Sequence, residues 1–263
     1  MSKARSLKVN GQEVAGGKVP LICTPVVGRT RPAVLEETAA VLAKRPDLLE
    51  WRVDFFEGLG RTGEVVDLAR ALRKAAGKVP IVFTRRSPRE GGEANPVGED
   101  EVIELYGAVC ESRAVDFVDY ELGNPAEKVR KVREASSRHG VGAILSFHDF
   151  KGTPPLEALF EKFSDAERAG ADVAKVAAMP KGVEDVLTLL AATHRAHREL
   201  TVPLISMSMG PYGSVSRMVG VLFGSAVSFA VGKAASAPGQ MAIEDLRTVL
   251  AIVERALGDA WRS

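Results

Sequence analysis

The chain has 263 residues, of which 46% are apolar and 26% charged, and its formal net charge is +1. This composition is typical of a globular protein with a large core, and the small net charge excludes a global field that attracts nucleic acid or anionic membranes. Cys23 and Cys110 lie outside any CxxC pattern, so we expect neither a disulfide framework nor a zinc site. The sequence shows no signal peptide and no apolar run of about 18 residues, which predicts a cytoplasmic protein without a membrane span.

A β-hairpin is predicted near residues 7–15, because apolar and polar residues alternate on both sides of Asn10-Gly11. After it, short apolar runs alternate with stretches of helical periodicity. The predicted strands are Val19–Val27, Leu48–Phe55, Val79–Arg86, Val115–Leu122, Val141–Phe150, Asp172–Met179, Val202–Met209 and Ser225–Val231. The predicted helices fall near 33–44, 62–76, 99–111, 125–138, 155–169, 182–199, 214–223 and 241–257.

The strand–helix units predict parallel strands that close into a (β/α)8 TIM barrel, with residues 1–263 forming a single catalytic domain. A doubly wound open sheet is the structural alternative. Such sheets usually have fewer units and often carry a glycine-rich nucleotide loop, and the GxGxxG and GxxxxGK[ST] motifs are absent here. In a barrel the chemistry lies at the carboxyl ends of the strands, so charged residues there are candidate site residues.

Charged residues stand on one face of the second barrel strand, where a parallel strand should be apolar. Glu50, Arg52 and Asp54 alternate with apolar residues and so share a face. Arg52 and Asp54 could form a structural ion pair or contact a substrate, whereas Glu50 could accept hydrogen bonds from substrate hydroxyls. The third strand ends in Arg86, and Glu90 follows it on a loop.

The fifth and sixth strands each carry a candidate catalytic residue. His148 lies at the carboxyl end of its strand, where an imidazole is suited to acid–base chemistry, although a hydrogen-bonded core histidine is the alternative. Lys175 lies within the apolar stretch ADVAKVAAMP. Lysine is almost never fully buried unless it is paired, and burial together with nearby cations favours the free amine that attacks a carbonyl.

The last two strands lead into candidate binding loops. Met207 could form part of an apolar wall, Ser214 is a candidate N-cap, and Arg217 with that helix start could bind an anion. Ser236 and Gln240 belong to a loop rich in Gly and Pro, which is either an ordinary connection or a lid over a substrate.

Together these stretches resemble the type I 3-dehydroquinate dehydratases, lyases of the shikimate pathway that form an imine on a lysine. The resemblance covers almost the whole chain, and its motifs occur in family order: EWRVDFF, FTRRSPREGGE, SFHDF, AKVAAMP, ISMSMGPYGSVSR, LFGSA and ASAPGQ. It departs from the family at Pro25, where some members have a substrate-contacting serine, and at Pro211-Tyr212, where the family often has Lys-Glu.

The resemblance implies a barrel whose bottom is closed by the N-terminal hairpin, and a role for each candidate residue. Lys175 would form the imine, His148 would transfer protons, and Glu90 would orient His148. The implied substrate-binding residues are Glu50, Arg52, Arg86, Met207, Arg217, Ser236 and Gln240. The implied reaction is the dehydration of 3-dehydroquinate to 3-dehydroshikimate, without metal or organic cofactor.

The expected partner is therefore a small molecule, with neither nucleic acid nor a membrane. The family contains dimers, so a homodimer is among the expected assemblies. A class I aldolase and a non-enzymatic barrel are the competing hypotheses. An aldolase shares the lysine and the anion site, but one that acts on a phosphorylated sugar needs a phosphate-binding site, which the motifs ASAPGQ and EWRVDFF do not suggest. A non-enzymatic barrel would be expected to lose the lysine or the histidine.

Overall fold

A computed structural model of the chain describes residues 7–9, 12–15 and 21–258. Its first element is an antiparallel pair formed by β1 (Leu7–Val9) and β2 (Gln12–Ala15). This confirms the predicted hairpin, although the Asn10-Gly11 turn lies outside the described residues. The position of the hairpin across the bottom of the barrel stays a prediction.

Between residues 21 and 258, eight parallel strands alternate with helices in one sheet, in the order β10-β3-β4-β5-β6-β7-β8-β9. The strands are β3 (Leu21–Val26), β4 (Leu48–Arg52), β5 (Ile81–Thr84), β6 (Phe117–Glu121), β7 (Gly142–Asp149), β8 (Val173–Ala178), β9 (Leu204–Ser208) and β10 (Val227–Phe229). The two ends of this order meet at a parallel bridge between Leu204 and Ser225, beside which the Ala226 amide donates to the Leu204 carbonyl at 2.8 Å. The predicted TIM barrel is thus confirmed.

The helices cover the outside of the barrel, and most of them turn an apolar face toward it. They are α1 (Arg31–Ala43), α2 (Thr62–Ala76), α3 (Glu99–Ser112), α4 (Ala126–His139), α5 (Leu156–Arg168), α6 (Val183–Glu199), α7 (Gly210–Val219) and α8 (Ile243–Leu257). In α5, for example, Leu159, Phe160 and Phe163 recur at helical spacing and are buried, whereas Glu157 and Glu161 are exposed. Among the helices of the described ranges, none is both long and apolar enough to cross a membrane.

The amino ends of the strands are joined in pairs by side chains. A residue just before every second strand accepts a hydrogen bond from a backbone amide of the preceding strand. The acceptors and amides are Asp47 and Ile22, Asp116 and Ile81, Asp172 and Ala143, and Ser225 and Ser206, with distances of 2.7–2.9 Å. These joints satisfy backbone donors at the end of the barrel opposite the candidate catalytic residues.

Inside the barrel, the two-residue period of the strands builds an apolar layer below a charged one. The lower layer includes Leu48, Val82, Phe117, Ile144 and Val173, which belong to one buried cluster. The residue two positions further along each of these strands is polar or charged: Glu50, Thr84, Asp119, Ser146 and Lys175, all of them buried. The alternation along the strands therefore puts the charges next to the carboxyl ends, on top of a packed apolar floor.

Local predictions that concern candidate site residues are wrong at the ends of several elements. Strand β5 ends at Thr84, so Arg86 follows the strand instead of ending it. Strand β4 ends at Arg52, and Asp54 lies in a 3-10 helix over Val53–Phe55 rather than on the strand face shared by Glu50 and Arg52. Helix α7 begins at Gly210, so Ser214 lies inside it and donates to the Pro211 carbonyl instead of capping it. Pro211 explains the earlier start, because proline is favoured in the first turn of a helix.

Candidate active site

A cavity with about 440 Å³ of space not filled by atoms lies at the carboxyl ends of the strands. It brings together residues that are far apart in the sequence: Glu50, Arg52, Arg86, Glu90, His148, Lys175, Met207, Ser236 and Gln240 line it. All were predicted as site residues from the sequence. Apolar side chains, among them Phe150, Met209 and Phe229, form the rest of the wall.

Lys175 is buried on β8, with 4% of its surface exposed. Its Nζ lies 2.7 Å from Asp119 Oδ2 and 3.7 Å from Glu50 Oε1, and 4.6 Å from the centre of the Phe229 ring. The charged groups in contact with this nitrogen are thus carboxylates and not the cations expected from the sequence. The amine is held in place by an ion pair at the edge of the cavity.

His148 and Glu90 form a largely buried pair. Glu90 Oε2 lies 2.8 Å from His148 Nδ1 and accepts the His148 backbone N–H at 3.0 Å. Burial, reinforced by the cationic Arg86 and Lys175, lowers the pKa of His148 well below 6.5. A neutral imidazole whose Nδ1 is occupied by Glu90 leaves Nε2 for the cavity, as a proton-transfer group requires.

Burial also raises the pKa of Glu90 to about 8; Arg86 lowers it, while Glu121 and Asp119 add to the rise. The carboxyl group of Glu90 therefore lies near both a cation and two carboxylates. Its contacts with the backbone and the ring of His148 hold the imidazole in one orientation, which matches the orienting role that the family resemblance implies.

Arg86 organises the acidic side of the cavity. Its guanidinium donates to Asp119 Oδ1 at 2.7 Å and to Ser146 Oγ at 2.8 Å, and lies 3.4 Å from Glu121 Oε1. Burial alone would lower the pKa of Arg86, but the carboxylates of Asp119 and Glu121 outweigh it and raise the pKa above its usual value. Arg86 thus stays a cation inside the barrel.

Glu50 and Arg52 extend from β4 into the cavity. Thr84 Oγ1 donates to Glu50 Oε1 at 3.0 Å, which leaves further lone pairs of this carboxylate for a ligand. Arg52 forms a two-bond pair with Asp54, at 2.9 and 2.8 Å, and donates to the Ser236 carbonyl at 3.2 Å. Arg52 therefore forms the structural ion pair and also lines the cavity, whereas its contact with a substrate stays a prediction.

The loop that contains Ser236 and Gln240 lies over the cavity. Gln240 Oε1 accepts the Ser236 amide at 3.0 Å, and Gln240 Nε2 donates to Ser236 Oγ at 3.2 Å. Gly239 has a φ of +77°, and a Cβ there would stand 2.1 Å from the Gly210 carbonyl oxygen. The Gly210 amide in turn donates to the Pro238 carbonyl at 3.2 Å, so this close approach ties the loop to α7.

Arg217 lies in the second half of α7, next to the cavity rather than on its surface. It is 2% exposed and donates to the carbonyls of Phe229 at 3.4 Å and Pro238 at 3.2 Å, with Met207 Sδ at 3.6 Å. Its Nε has no hydrogen-bond partner among the described residues. Burial lowers the pKa of Arg217 to about 10. This arginine carries a charge that no carboxylate in the described chain neutralises within ion-pair distance.

Sequence reasoning missed the residues beneath the cavity, namely Asp119, Glu121 and Ser146. Asp119 and Glu121 occupy alternate positions of the strand FVDYE, and both are fully or almost fully buried. Carboxylates on one face of a parallel strand are the same signal that identified Glu50, and this signal in FVDYE predicts charged groups inside the barrel here as well. Within residues 21–258, no cluster of His, Cys, Asp and Glu has an arrangement that could hold a metal ion.

Comparison with known proteins identifies the family. The family model described as type I 3-dehydroquinase matches residues 22–256. A 3-dehydroquinate dehydratase from Albidiferax ferrireducens is 54% identical over 98% of each chain. The crystal structure of 3-dehydroquinate dehydratase from Geobacillus kaustophilus superposes with a TM-score of 0.94 at 49% identity, over 97% of this chain and 99% of that one. A type I 3-dehydroquinate dehydratase from Clostridium difficile, solved with covalently modified comenic acid, gives a TM-score of 0.92 at 34% identity over 96% and 99%. The chain described here belongs to the type I 3-dehydroquinase family.

Proposed function

We propose that this protein dehydrates 3-dehydroquinate to 3-dehydroshikimate through an imine on Lys175, as a step of the shikimate pathway. The observation that carries the proposal is the position of Lys175 Nζ, in a cavity that also holds His148, whose pKa is lowered. The relatives named above carry the same activity in their names. The structure of the enzyme from Clostridium difficile contains covalently modified comenic acid, which supports covalent chemistry in this fold.

The proposed reaction begins with the lysine and the ketone. The amine of Lys175 adds to the ketone carbon, and loss of water leaves an iminium ion. The cationic nitrogen then withdraws electrons from the α-carbon, so that the α-proton becomes acidic enough for an imidazole to remove. In a β-hydroxy ketone, the resulting enamine expels the hydroxyl group as water, and a second water hydrolyses the conjugated iminium to free the product and the amine.

His148 is the proposed base in this sequence. Its Nε2 accepts the α-proton, and the imidazolium so formed protonates the departing hydroxyl group, which returns the ring to its neutral form. Glu90, hydrogen-bonded to Nδ1, holds the ring while both transfers occur. No proton has to leave the cavity between the two steps.

The remaining residues are proposed to fix the substrate. Arg86 and Glu50, which line the cavity, are proposed to bind the ring hydroxyls, and Ser236 and Gln240 to close the loop over the substrate. Arg217 is proposed to bind the substrate carboxylate, with Met207 beside the imine. Because Arg217 lies next to the cavity in the structure, its guanidinium must exchange the Pro238 carbonyl for the carboxylate when the substrate enters.

The test is reductive trapping. The protein is incubated with 3-dehydroquinate and borohydride, and the adduct is located by mass spectrometry after proteolysis. We expect the reduced adduct on Lys175, no adduct and no turnover in Lys175→Ala, and a normal adduct in Lys74→Ala, which removes an exposed lysine of α2. An adduct on another lysine, or aldol cleavage of a phosphorylated sugar without dehydration of 3-dehydroquinate, would overturn the proposal.

A further inference from the structure

Asp119 joins the imine lysine to the arginine of the acidic cluster. One oxygen, Oδ2, lies 2.7 Å from Lys175 Nζ, and the other, Oδ1, accepts from Arg86 at 2.7 Å and from Ser146. Asp119 has no exposed surface. Glu50 lines the cavity, whereas Asp119 does not. Asp119 can therefore act on a bound substrate only through the nitrogen of Lys175.

Charge is conserved on this nitrogen when the imine forms. The overall reaction joins an ammonium ion and a ketone to give a protonated imine and one water, so the nitrogen carries a positive charge before and after. A carboxylate in contact with the ammonium is therefore also in contact with the iminium. An opposite charge within about 4–6 Å favours the charged form of a group, and burial strengthens the effect.

We propose that Asp119 is the counterion of the iminium on Lys175 and keeps that nitrogen protonated at neutral and mildly alkaline pH. The proposal rests on the imine function proposed above. It makes Asp119 a positioning residue, because it acts on the reacting carbon only through the nitrogen of Lys175. An unprotonated imine in this buried site would withdraw electrons too weakly for His148 to remove the α-proton.

Other groups face the same nitrogen, and their positions distinguish their roles. Glu50 stands at 3.7 Å, a full ångström further than Asp119, and reaches the cavity where a substrate hydroxyl is expected. The groups around the pair on other strands of the barrel are Cys23 on β3, Glu50 and Arg52 on β4, Arg86 after β5, Ser146 and His148 on β7, and Phe229 on β10. Burial raises the pKa of Cys23 well above its usual value, so this thiol stays neutral and adds no charge.

Arg86 keeps Asp119 paired with a cation when the nitrogen of Lys175 loses its charge. When the iminium becomes an enamine, its nitrogen loses the positive charge, and a buried carboxylate left without a cation would oppose that step. Asp119 keeps Arg86 and Ser146 on its second oxygen throughout. Asp119 therefore faces two cations: Arg86, which stays charged, and the nitrogen of Lys175, which loses its charge in the enamine. Because Arg86 remains, Asp119 can stabilise the iminium without preventing its conversion to the enamine.

The experiment measures how reductive trapping depends on pH. Cyanoborohydride transfers hydride to the carbon of a protonated imine, so the trapping rate with 3-dehydroshikimate reports the protonated fraction. For the wild type we expect a rate that varies less than about twofold between about pH 7 and 9. For Asp119→Asn we expect the decline of the rate to move about one to three pH units lower, the range seen for loss of a nearby opposite charge.

Two further variants separate charge from contact. Ser146→Ala removes a hydrogen bond to Asp119 but no charge, so its trapping profile should keep the pH dependence of the wild type. Asp119→Glu restores the charge and should return the profile most of the way toward the wild type. If Asp119→Asn fails to fold, the wild-type and Asp119→Glu profiles still decide, because a wild-type rate that falls tenfold between about pH 7 and 8 overturns the proposal.

The outcomes also separate this inference from the proposed function. A wild-type protein that yields no adduct on Lys175 refutes the imine function itself. A wild-type adduct combined with an unchanged pH profile in folded Asp119→Asn refutes the counterion alone. A shift of equal size in Ser146→Ala would assign the effect to packing of the cluster and would likewise overturn the proposal.

Discussion

Replacing Arg217 by methionine is expected to stabilise the unliganded protein while removing most of its activity. Arg217 is a buried cation whose Nε has no partner in residues 21–258 and whose hydrogen bonds go to carbonyl oxygens at 3.2–3.4 Å. Such a residue costs stability in the free protein, because desolvation of the charge is not offset by an ion pair. Methionine keeps a similar length without the charge.

The size of the effect follows from the pKa of Arg217. A fall from 12.5 to about 10 corresponds to about 3.5 kcal/mol, at about 1.4 kcal/mol for each tenfold change in proton affinity. Because the folded pKa lies below the unfolded one, this penalty is fully present at neutral pH and is relieved only as the pH rises above about 10. The lost hydrogen bonds to Phe229 and Pro238 offset about 1–3 kcal/mol, at about 0.5–1.5 kcal/mol each. We therefore expect Arg217→Met to raise the free energy of unfolding by about 0.5–2.5 kcal/mol.

The same substitution should lower kcat/KM strongly if Arg217 binds the substrate carboxylate. Two charge-assisted hydrogen bonds at about 1.5–3 kcal/mol each correspond to a loss of about 10²- to 10⁴-fold. Urea unfolding without ligand gives the first quantity and steady-state kinetics the second. Arg73→Met is the matched control, since Arg73 is paired with Asp116 and backbone carbonyls, and its loss should destabilise the protein. If Arg217→Met lowers the free energy of unfolding by more than about 1 kcal/mol, the reasoning is wrong.

Further predictions concern the base and the loop. Burial lowers the pKa of His148, and a base works only when it is neutral, so kcat/KM should not fall on the acid side until the pH is below 6.5; a loss of kcat/KM on acidification with its midpoint at or above pH 6.5 would contradict this. Gly239→Ala should displace the loop from Gly210 and lower kcat/KM by about tenfold or more, since the strain is on the order of 1–3 kcal/mol. Gly77→Ala, at a φ of +58° with open space around it, is the matched control: it should lower the free energy of unfolding and leave KM unchanged in the same assays.

The barrel could be predicted from the sequence because its signals are periodic and local. Apolar strand runs alternate with amphipathic helices, and residues such as Gly140, with a φ of +72°, end helices where only a left-handed conformation fits. The ends of strands were less predictable where side-chain hydrogen bonds to neighbouring residues compete with the alternation of apolar and polar residues. In VDFF the alternation continues past Arg52, but the Asp54 side chain accepts two hydrogen bonds from Arg52, and the chain turns into a 3-10 helix there.

The lining of the site was predictable residue by residue, whereas its supporting network was not. Lys175 and His148 stand out because each is a polar residue in an apolar strand. Asp119 carries the same signal, but its partners become visible only when the fold brings Arg86, Ser146 and Lys175 to its two oxygens. The position of Arg217 behind Met207 depends on how α7 packs against the loop that contains Pro238. The periodicity of the sequence does not predict such packing.

The side-chain joints at the amino ends of the strands bear on how the chain folds. Each joint links residues only 25, 35, 29 or 19 positions apart, so each closes a single strand–helix–strand segment. Pairing β10 with β3 instead brings Val227 to Leu21, roughly 200 positions away, and the entropy of closing that loop is larger by on the order of 2 kcal/mol. Local contacts form faster than distant ones. The joints thus favour an order in which neighbouring strand pairs assemble first and the ring closes last.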